Sequence, residues 1–243
     1  FDDPAVTGSL GGVGFGGAGL PQGVIEDVLS RRGDAMSGIG FGLTETNGVG
    51  AAASGRLFKL RPHAAGQLSP IIELRVADFD GTPMPAGQAG EVWLRGVSVM
   101  QCYCGQPRAT AAAMEGGWFH TGDIGILDAD GFLRVVDRIK DVINRAGEKI
   151  AAAEIESCLL QHPALLEAAV FAQPDEQTGE AVVAVVVLAP GTTLTPAQVQ
   201  AHVAARLAAY KVPLRVYVRH DSLPRNPAGK MLNTALKREY TPA

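Results

Sequence analysis

Two carboxylates and two cations sit in segments whose neighbours suggest more than surface charge. Glu45 closes the run FGLTE (Phe41–Glu45), a loop entered through Gly42 with Thr44 beside the acid. A hard divalent cation takes one or two such carboxylates and fills its remaining positions with phosphate and water. Asp123, in TGD, precedes an apolar stretch, and one carboxylate can accept both hydroxyls of a ribose. Arg138, in VDRIKD, carries the planar donor fork that suits sugar or phosphate oxygens. Lys230 ends PRNPAGK (Pro224–Lys230), where an ammonium on a long stem beside Gly229 could screen two anions from each other. Each residue alone has a plainer reading: a solvated loop acid, a salt bridge across a hairpin, a solvated lysine. The spacing G-x-G-x-x-G also occurs, at Gly14, Gly16 and Gly19. That fingerprint needs a buried strand directly before it and a second βαβ unit after it, and neither is legible.

The elements that would position these groups change character along the chain. Up to about Gly50 the pattern is that of α/β layers, with VIEDVLSRR (Val24–Arg32) as a helix and MSGIGFGLTE as a short strand running into a tight loop. From Gly55 to Asp137 come short strands, IIELRVADF, GEVWLRG and GFLRVVDR, separated by DGTPMPAG and DADG turns. Such punctuation predicts a distorted barrel or small sheet. Beyond Lys140 the spacing predicts a separate α+β module. It has a helix over Ala151–His162 stopped by Pro163, and strands around Leu166–Ala172 and Glu180–Leu188. A helix opened by Thr195-Pro196, a strand LRVYV and a short terminal helix ending in KREY complete it. Domain boundaries are therefore expected at 1–139 and 140–243.

Bulk composition excludes several classes. The net charge of −4 gives no basic footprint for nucleic acid. The longest apolar run, AVVAVVVLAP (Ala181–Pro190), is about half of what a membrane span needs and reads as a buried strand. Three cysteines, Cys102, Cys104 and Cys158, lack zinc-site spacing and an even count, which suggests reduced thiols and a cytoplasmic setting. The first residue is Phe1, and the opening FDDPAV reads as a piece of a longer protein.

FGLTE, the stretch GWFHTGDIGILDADGFLRVVDRIKDVINRAGEKI (Gly116–Ile150) and PRNPAGK follow one another as in the adenylate-forming superfamily, which the chain resembles from about Leu10 to Lys237. The resemblance implies the end of a large AMP-binding core followed by a small mobile C-terminal domain. It also implies acyl-CoA synthetase chemistry, in which a carboxylic acid and ATP give an acyl-adenylate that CoA then captures. On that reading Glu45 binds Mg²⁺ and Thr44 the phosphate. GGAGLP (Gly16–Pro21), with Gly17, Ala18 and Gly19, forms the adenine loop, and Phe41 and Gly42 lie against the nucleotide. Asp123 and Arg138 take the ribose, Lys140 is the hinge, Gly147 lines the pantetheine tunnel and Lys230 serves adenylation. His120 reads as structural. A fatty acid is the expected substrate. A carrier-protein adenylation domain, a luciferase-like oxygenase and a non-catalytic remnant are alternatives. The superfamily's Ser/Thr/Gly-rich phosphate loop is not found, so the chain alone is expected not to form an acyl-adenylate.

Overall fold

A computed structural model describes residues 11–16, 25–26, 29–30, 36–78, 80–226 and 231–240. The chain divides into two compact units, Phe1–Val136 and Asp137–Ala243. The sequence reading set this boundary after Ile139, in the turn Ile139–Asp141.

The first unit is built on β1 (Gly12–Gly16), β2 (Met36–Phe41), β3 (Ala51–Ser54), β4 (Gly66–Leu68), β5 (Ile72–Ala77), β6 (Ala89–Gly96), β7 (Met114–Glu115), β8 (Trp118–Leu127) and β9 (Phe132–Arg138). Their order is β1-β2-β3-β4-β9-β8-β6-β5, with β7 against β8. Only β1 and β2 pair in parallel among the registers described for this sheet, Gly14 opposite Gly38 and Gly16 opposite Gly40. Gly14 and Gly16 thus lie inside a strand, not in the turn after one, a placement that does not suit the dinucleotide fingerprint, whose third glycine, Gly19, lies outside the described residues.

The sheet curls upon itself. Ala51 on β3, Ile72 on β5, Val92 and Leu94 on β6 and Leu133 on β9 share one buried cluster. In a flat sheet β3 and β5 would stand about 24 Å apart, at about 4.8 Å per strand. Common burial therefore requires the distorted barrel that the short strands predict. Helix α1 (Arg56–Leu60) sends Phe58, fully buried, against Ala53 and Ile25. Ile25, Glu26, Leu29 and Ser30 are helical, in keeping with the expected Val24–Arg32 helix, most of which lies outside the described residues. A second short helix, α2 (Pro107–Ala113), links β6 to β7.

In the second unit, β10 (Ile143–Arg145), β11 (Glu148–Ile150), β12 (Leu165–Asp175), β13 (Gly179–Leu188) and β14 (Arg215–Arg219) form one sheet. β13 is its axis, antiparallel to β12 and parallel to β14. Val182, Ala184, Val186 and Leu188 face helices α3 (Ala152–Leu160) and α4 (Pro196–Ala204), packing with Ile155, Leu159, Val199 and Val203. Val183, Val185 and Val187 face the other way, toward Leu223 and toward Leu236 of α5 (Asn233–Tyr240). Burial on both sides explains why this strand reads as an unbroken apolar run rather than an alternation. Thr195 opens α4 with a reciprocal cap: its hydroxyl accepts from the Gln198 amide while the Gln198 side chain accepts from the Thr195 amide. No helix among the described residues is long and apolar enough to cross a membrane.

Candidate functional site

The FGLTE loop is the most tightly built of the candidate segments among the described residues. β2 ends at Phe41, whose ring packs partly into the barrel core. The chain then turns through a 3-10 helix, Thr44–Thr46. Thr46 is fully buried; its hydroxyl accepts from the Leu43 amide and donates to the Leu43 carbonyl, both at 3.1 Å. Gly42 has no room for a side chain, since a Cβ there would lie 2.2 Å from the Gly48 carbonyl oxygen. The loop is also fastened to the segment after β6. Met100 donates its amide to the Glu45 carbonyl at 2.7 Å, and Asn47 donates its side-chain amide to the Ser98 carbonyl at 3.4 Å.

Glu45 itself is half-buried, and its Oε1 accepts a hydrogen bond from the Tyr103 hydroxyl at 2.8 Å. Burial pushes the Tyr103 hydroxyl above the usual tyrosine range, and the Glu45 carboxylate adds to the shift. Tyr103 is placed by its own backbone, whose amide donates to Thr110 Oγ1 on α2 at 2.9 Å. Its ring lies on an open hollow of about 420 Å³ shared with Cys102, Thr110 and Met114. Sequence reading missed Tyr103, because nothing local in QCYCGQP ties it to an acid 58 positions away. No cluster of three or more His, Cys, Asp or Glu side chains that could cage a metal occurs among the described residues. A cation at Glu45 would therefore be one that takes few protein ligands and completes its shell from phosphate and water, which suits Mg²⁺. Glu45 fits that demand: no partner for Oε2 is found among the described residues.

Asp123 lies on β8, separated from β2 in the sheet order by β9, β4 and β3. Pairing of β6 with β8 slips between Glu91 and Trp93, so that Glu91 faces Ile124 while Trp93 faces His120. TGD is thus a bulge, the kind of irregularity that re-aims a side chain out of the regular alternation. The bulge is tied down at three points. The Thr121 hydroxyl donates to the Val92 carbonyl, the Asp123 amide donates to Thr121 Oγ1, and the Gly122 amide donates to Glu91 Oε1. Asp123 is buried, at 3% exposure for the whole residue. His120 stacks on Trp93 with ring centroids 3.9 Å apart, and its Nδ1 faces Glu91 Oε2 at 3.7 Å, while its buried Nε2 has no hydrogen-bond partner among the described residues.

Arg138, Lys140 and Gly147 belong to the second unit. Arg138 ends β9, and Lys140 is exposed in the Ile139–Asp141 turn. Gly147 stands in a two-residue turn between β10 and β11, where Arg145 pairs with Glu148. Both turn residues have left-handed backbones, Ala146 at φ 50° and Gly147 at φ 91°. This is the geometry that favours glycine, so the turn itself accounts for Gly147. Three acids gather close to the entry of α3. Asp137 Oδ1 accepts from the Arg138 amide at 2.8 Å, and its Oδ2 from the Ala153 amide at 3.4 Å. Burial raises the Asp137 carboxyl above the usual range, against the pull of those amides. Glu156 is pushed up to about 7, first by burial and then by the charges of Asp137 and Asp141, although the Val170 amide donates to it at 2.9 Å. Gly17, Ala18, Gly19 and Lys230 lie outside the described residues.

The comparisons with known proteins agree with this architecture. The family described as "AMP-binding enzyme" matches residues 2–104, and the "AMP-binding enzyme C-terminal domain" matches residues 154–230. The chain belongs to the adenylate-forming, AMP-binding enzymes. It is 39% identical over 235 residues to the 4-coumarate–CoA ligase-like protein 6 of Arabidopsis thaliana, covering 96% of this chain and 41% of that one. It is 38% identical over 233 residues to the fatty acid–[acyl-carrier-protein] ligase ScoC of Streptomyces coeruleorubidus, covering 93% and 44%. The o-succinylbenzoate CoA synthetase of Bacillus subtilis, solved with its acyl-adenylate intermediate, superposes with a TM-score of 0.84 at 30% identity, over 96% of this chain and 48% of that one. The chain thus spans less than half the length of these relatives, and the two matched regions lie one within each unit.

Proposed function

We propose that this chain is part of an AMP-forming acid–thiol ligase, which joins a carboxylic acid to CoA through an acyl-adenylate. The observation that carries the reading is Glu45: a half-buried carboxylate on a loop with no slack, one oxygen held by Tyr103 and the other without a partner among the described residues. Displacement at the α-phosphate brings two anions together, so cationic help at the developing charge is the first requirement. In this proposal Glu45 holds Mg²⁺, Thr44 meets the phosphate, and Gly17, Ala18, Gly19, Phe41 and Gly42 surround the base. Asp123 accepts the ribose hydroxyls and Arg138 donates to the ribose or phosphate. Lys140 is the pivot on which the second unit changes position between half-reactions, with Lys230 serving adenylation and the Gly147 turn serving thioester formation.

A fatty acid is the proposed substrate, a choice supported by the name of the Streptomyces relative. The same name favours a second reading, in which the acceptor thiol belongs to an acyl-carrier protein. The superfamily's phosphate loop is not among these 243 residues, so adenylation is proposed to need protein beyond them. Isothermal titration of the chain with AMP and with CoA tests the assignment. Saturable AMP binding that is weakened by Asp123→Ala supports it. Absence of binding to either ligand would instead mark a non-catalytic remnant.

A further inference from the structure

We infer that Tyr103 is a positioning residue for the cation-binding carboxylate: its hydroxyl fixes the rotamer of Glu45 so that Oε2 is presented to the metal that accompanies the nucleotide. The inference rests on the reading of Glu45 given above and adds a residue that the reading does not contain. A glutamate side chain has three rotatable bonds, and a carboxylate that must find its cation from many rotamers binds it less well than one already in place. The FGLTE loop removes backbone freedom through Gly42 and Thr46, but neither contact touches the Glu45 side chain. The Tyr103 hydroxyl, at 2.8 Å from Oε1, supplies the missing constraint. It occupies one oxygen and leaves the other with no partner among the described residues.

Tyr103 is itself fixed from two directions, which a chance surface contact would not need. Its amide is tied to Thr110 Oγ1, and Thr110 in turn donates its hydroxyl to the Gln106 carbonyl at 3.0 Å, within the turn that starts α2. Three residues before it, the Met100 amide holds the Glu45 backbone at 2.7 Å. Backbone and side chain of the same glutamate are thus held by one short segment, Met100–Tyr103.

The test uses the 243-residue chain, with Mn²⁺ as the metal probe, and reads Mn²⁺ affinity by electron paramagnetic resonance in the presence of saturating ATP. Wild type, Tyr103→Phe, Glu45→Gln and the double variant form a cycle, and metal-free ATP affinity is measured beside each. Tyr103→Phe removes one oxygen atom and keeps the ring in place, and thermal melts check that each variant folds. The expected result is about tenfold weaker Mn²⁺ binding in Tyr103→Phe, the scale of one charge-assisted hydrogen bond. Metal-free ATP affinity should be unchanged, and in the Glu45→Gln background the tyrosine substitution should add nothing. If Glu45→Gln weakens Mn²⁺ binding but Tyr103→Phe does not, the inference fails while the reading of Glu45 stands. If Glu45→Gln leaves Mn²⁺ binding unchanged, the reading of Glu45 fails and this inference with it. Equal losses of metal-free ATP and of Mn²⁺ in Tyr103→Phe would make the tyrosine merely structural and also overturn the inference.

Discussion

The Glu45 loop of the first unit and the Gly147 turn of the second both carry a glycine in a candidate site, for opposite physical reasons. At Gly42 the obstacle is space, because the Gly48 carbonyl stands where a Cβ would be. At Gly147 a Cβ would meet nothing within 4 Å, and the requirement is the left-handed backbone. The first arrangement clamps a side chain, Glu45, between a packed loop and Tyr103. The second offers exposed backbone at the tip of a short hairpin. A ligand that needs a charge at a fixed point is served by the former, and one that lies along a backbone by the latter.

The contrast can be broken most forcefully at Gly42. Gly42→Ala must displace the Gly48 carbonyl, and overpacking of this kind costs about 3 kcal/mol. Urea unfolding of the chain should show a correspondingly lower midpoint for the first unit; an unchanged midpoint would mean that the loop has slack and that Glu45 is not clamped.

A somewhat smaller effect is expected in the second unit, and it depends on pH. Glu156 keeps its proton in the folded chain up to about 7, against an ordinary value of 4.5. The folded state therefore binds that proton more tightly than the unfolded one. Its contribution to stability is full below pH 4.5 and is lost as the pH rises through 7. At about 1.4 kcal/mol per pH unit the whole difference is worth about 3.5 kcal/mol, of which about 2.5 kcal/mol is lost between about pH 5 and about pH 8. Glu156→Gln keeps an acceptor for the Val170 amide and carries no charge, so its unfolding free energy should be flatter between about pH 5 and pH 8 and higher than wild type at the upper end. Parallel profiles for the two proteins would remove Glu156 as the cause.

The smallest effects lie at the hairpin tip. Gly147→Ala should cost about 1 kcal/mol, the penalty of placing a Cβ on a left-handed backbone, without any steric clash. Ala146→Asn should stabilise by about 0.5–1 kcal/mol, since Asn-Gly is the preferred pair in a turn with two positive φ angles. Thermal melts of both variants read these shifts, and a lower melting temperature for Ala146→Asn would contradict the turn geometry.

What the sequence disclosed and what it hid follow the same division between local and distant causes. β2, β5, β6 and β9 were readable because each places its apolar residues under one rule and ends at a Gly, Pro or Asp turn. α4 was readable from Thr195-Pro196 alone. β1 was not, since GVGFG is too rich in glycine to look like a strand and gains its order from parallel pairing with β2. Ala51–Ser54 was hidden because its small side chains carry little apolar signal, although Ala51 and Ala53 are buried. The β10–β11 hairpin escaped because Ala146 occupies a position where asparagine or glycine would announce the turn. In the candidate site, Glu45 and Asp123 could be singled out from their own motifs. Tyr103, the TGD bulge and the convergence of Glu156 on Asp137 arise only when remote segments meet.

The two-sided burial of β13 has a consequence for how the chain must be made. While Val182–Val187 leaves the ribosome, its β12 partner is already available, but β14 is not synthesised until Arg215–Arg219. At typical elongation rates this leaves one edge of a strongly aggregation-prone valine segment unpaired for roughly a few seconds. Yield of folded protein should therefore be limited by chaperone capacity during that interval, and truncations ending before Arg215 should accumulate as inclusion bodies.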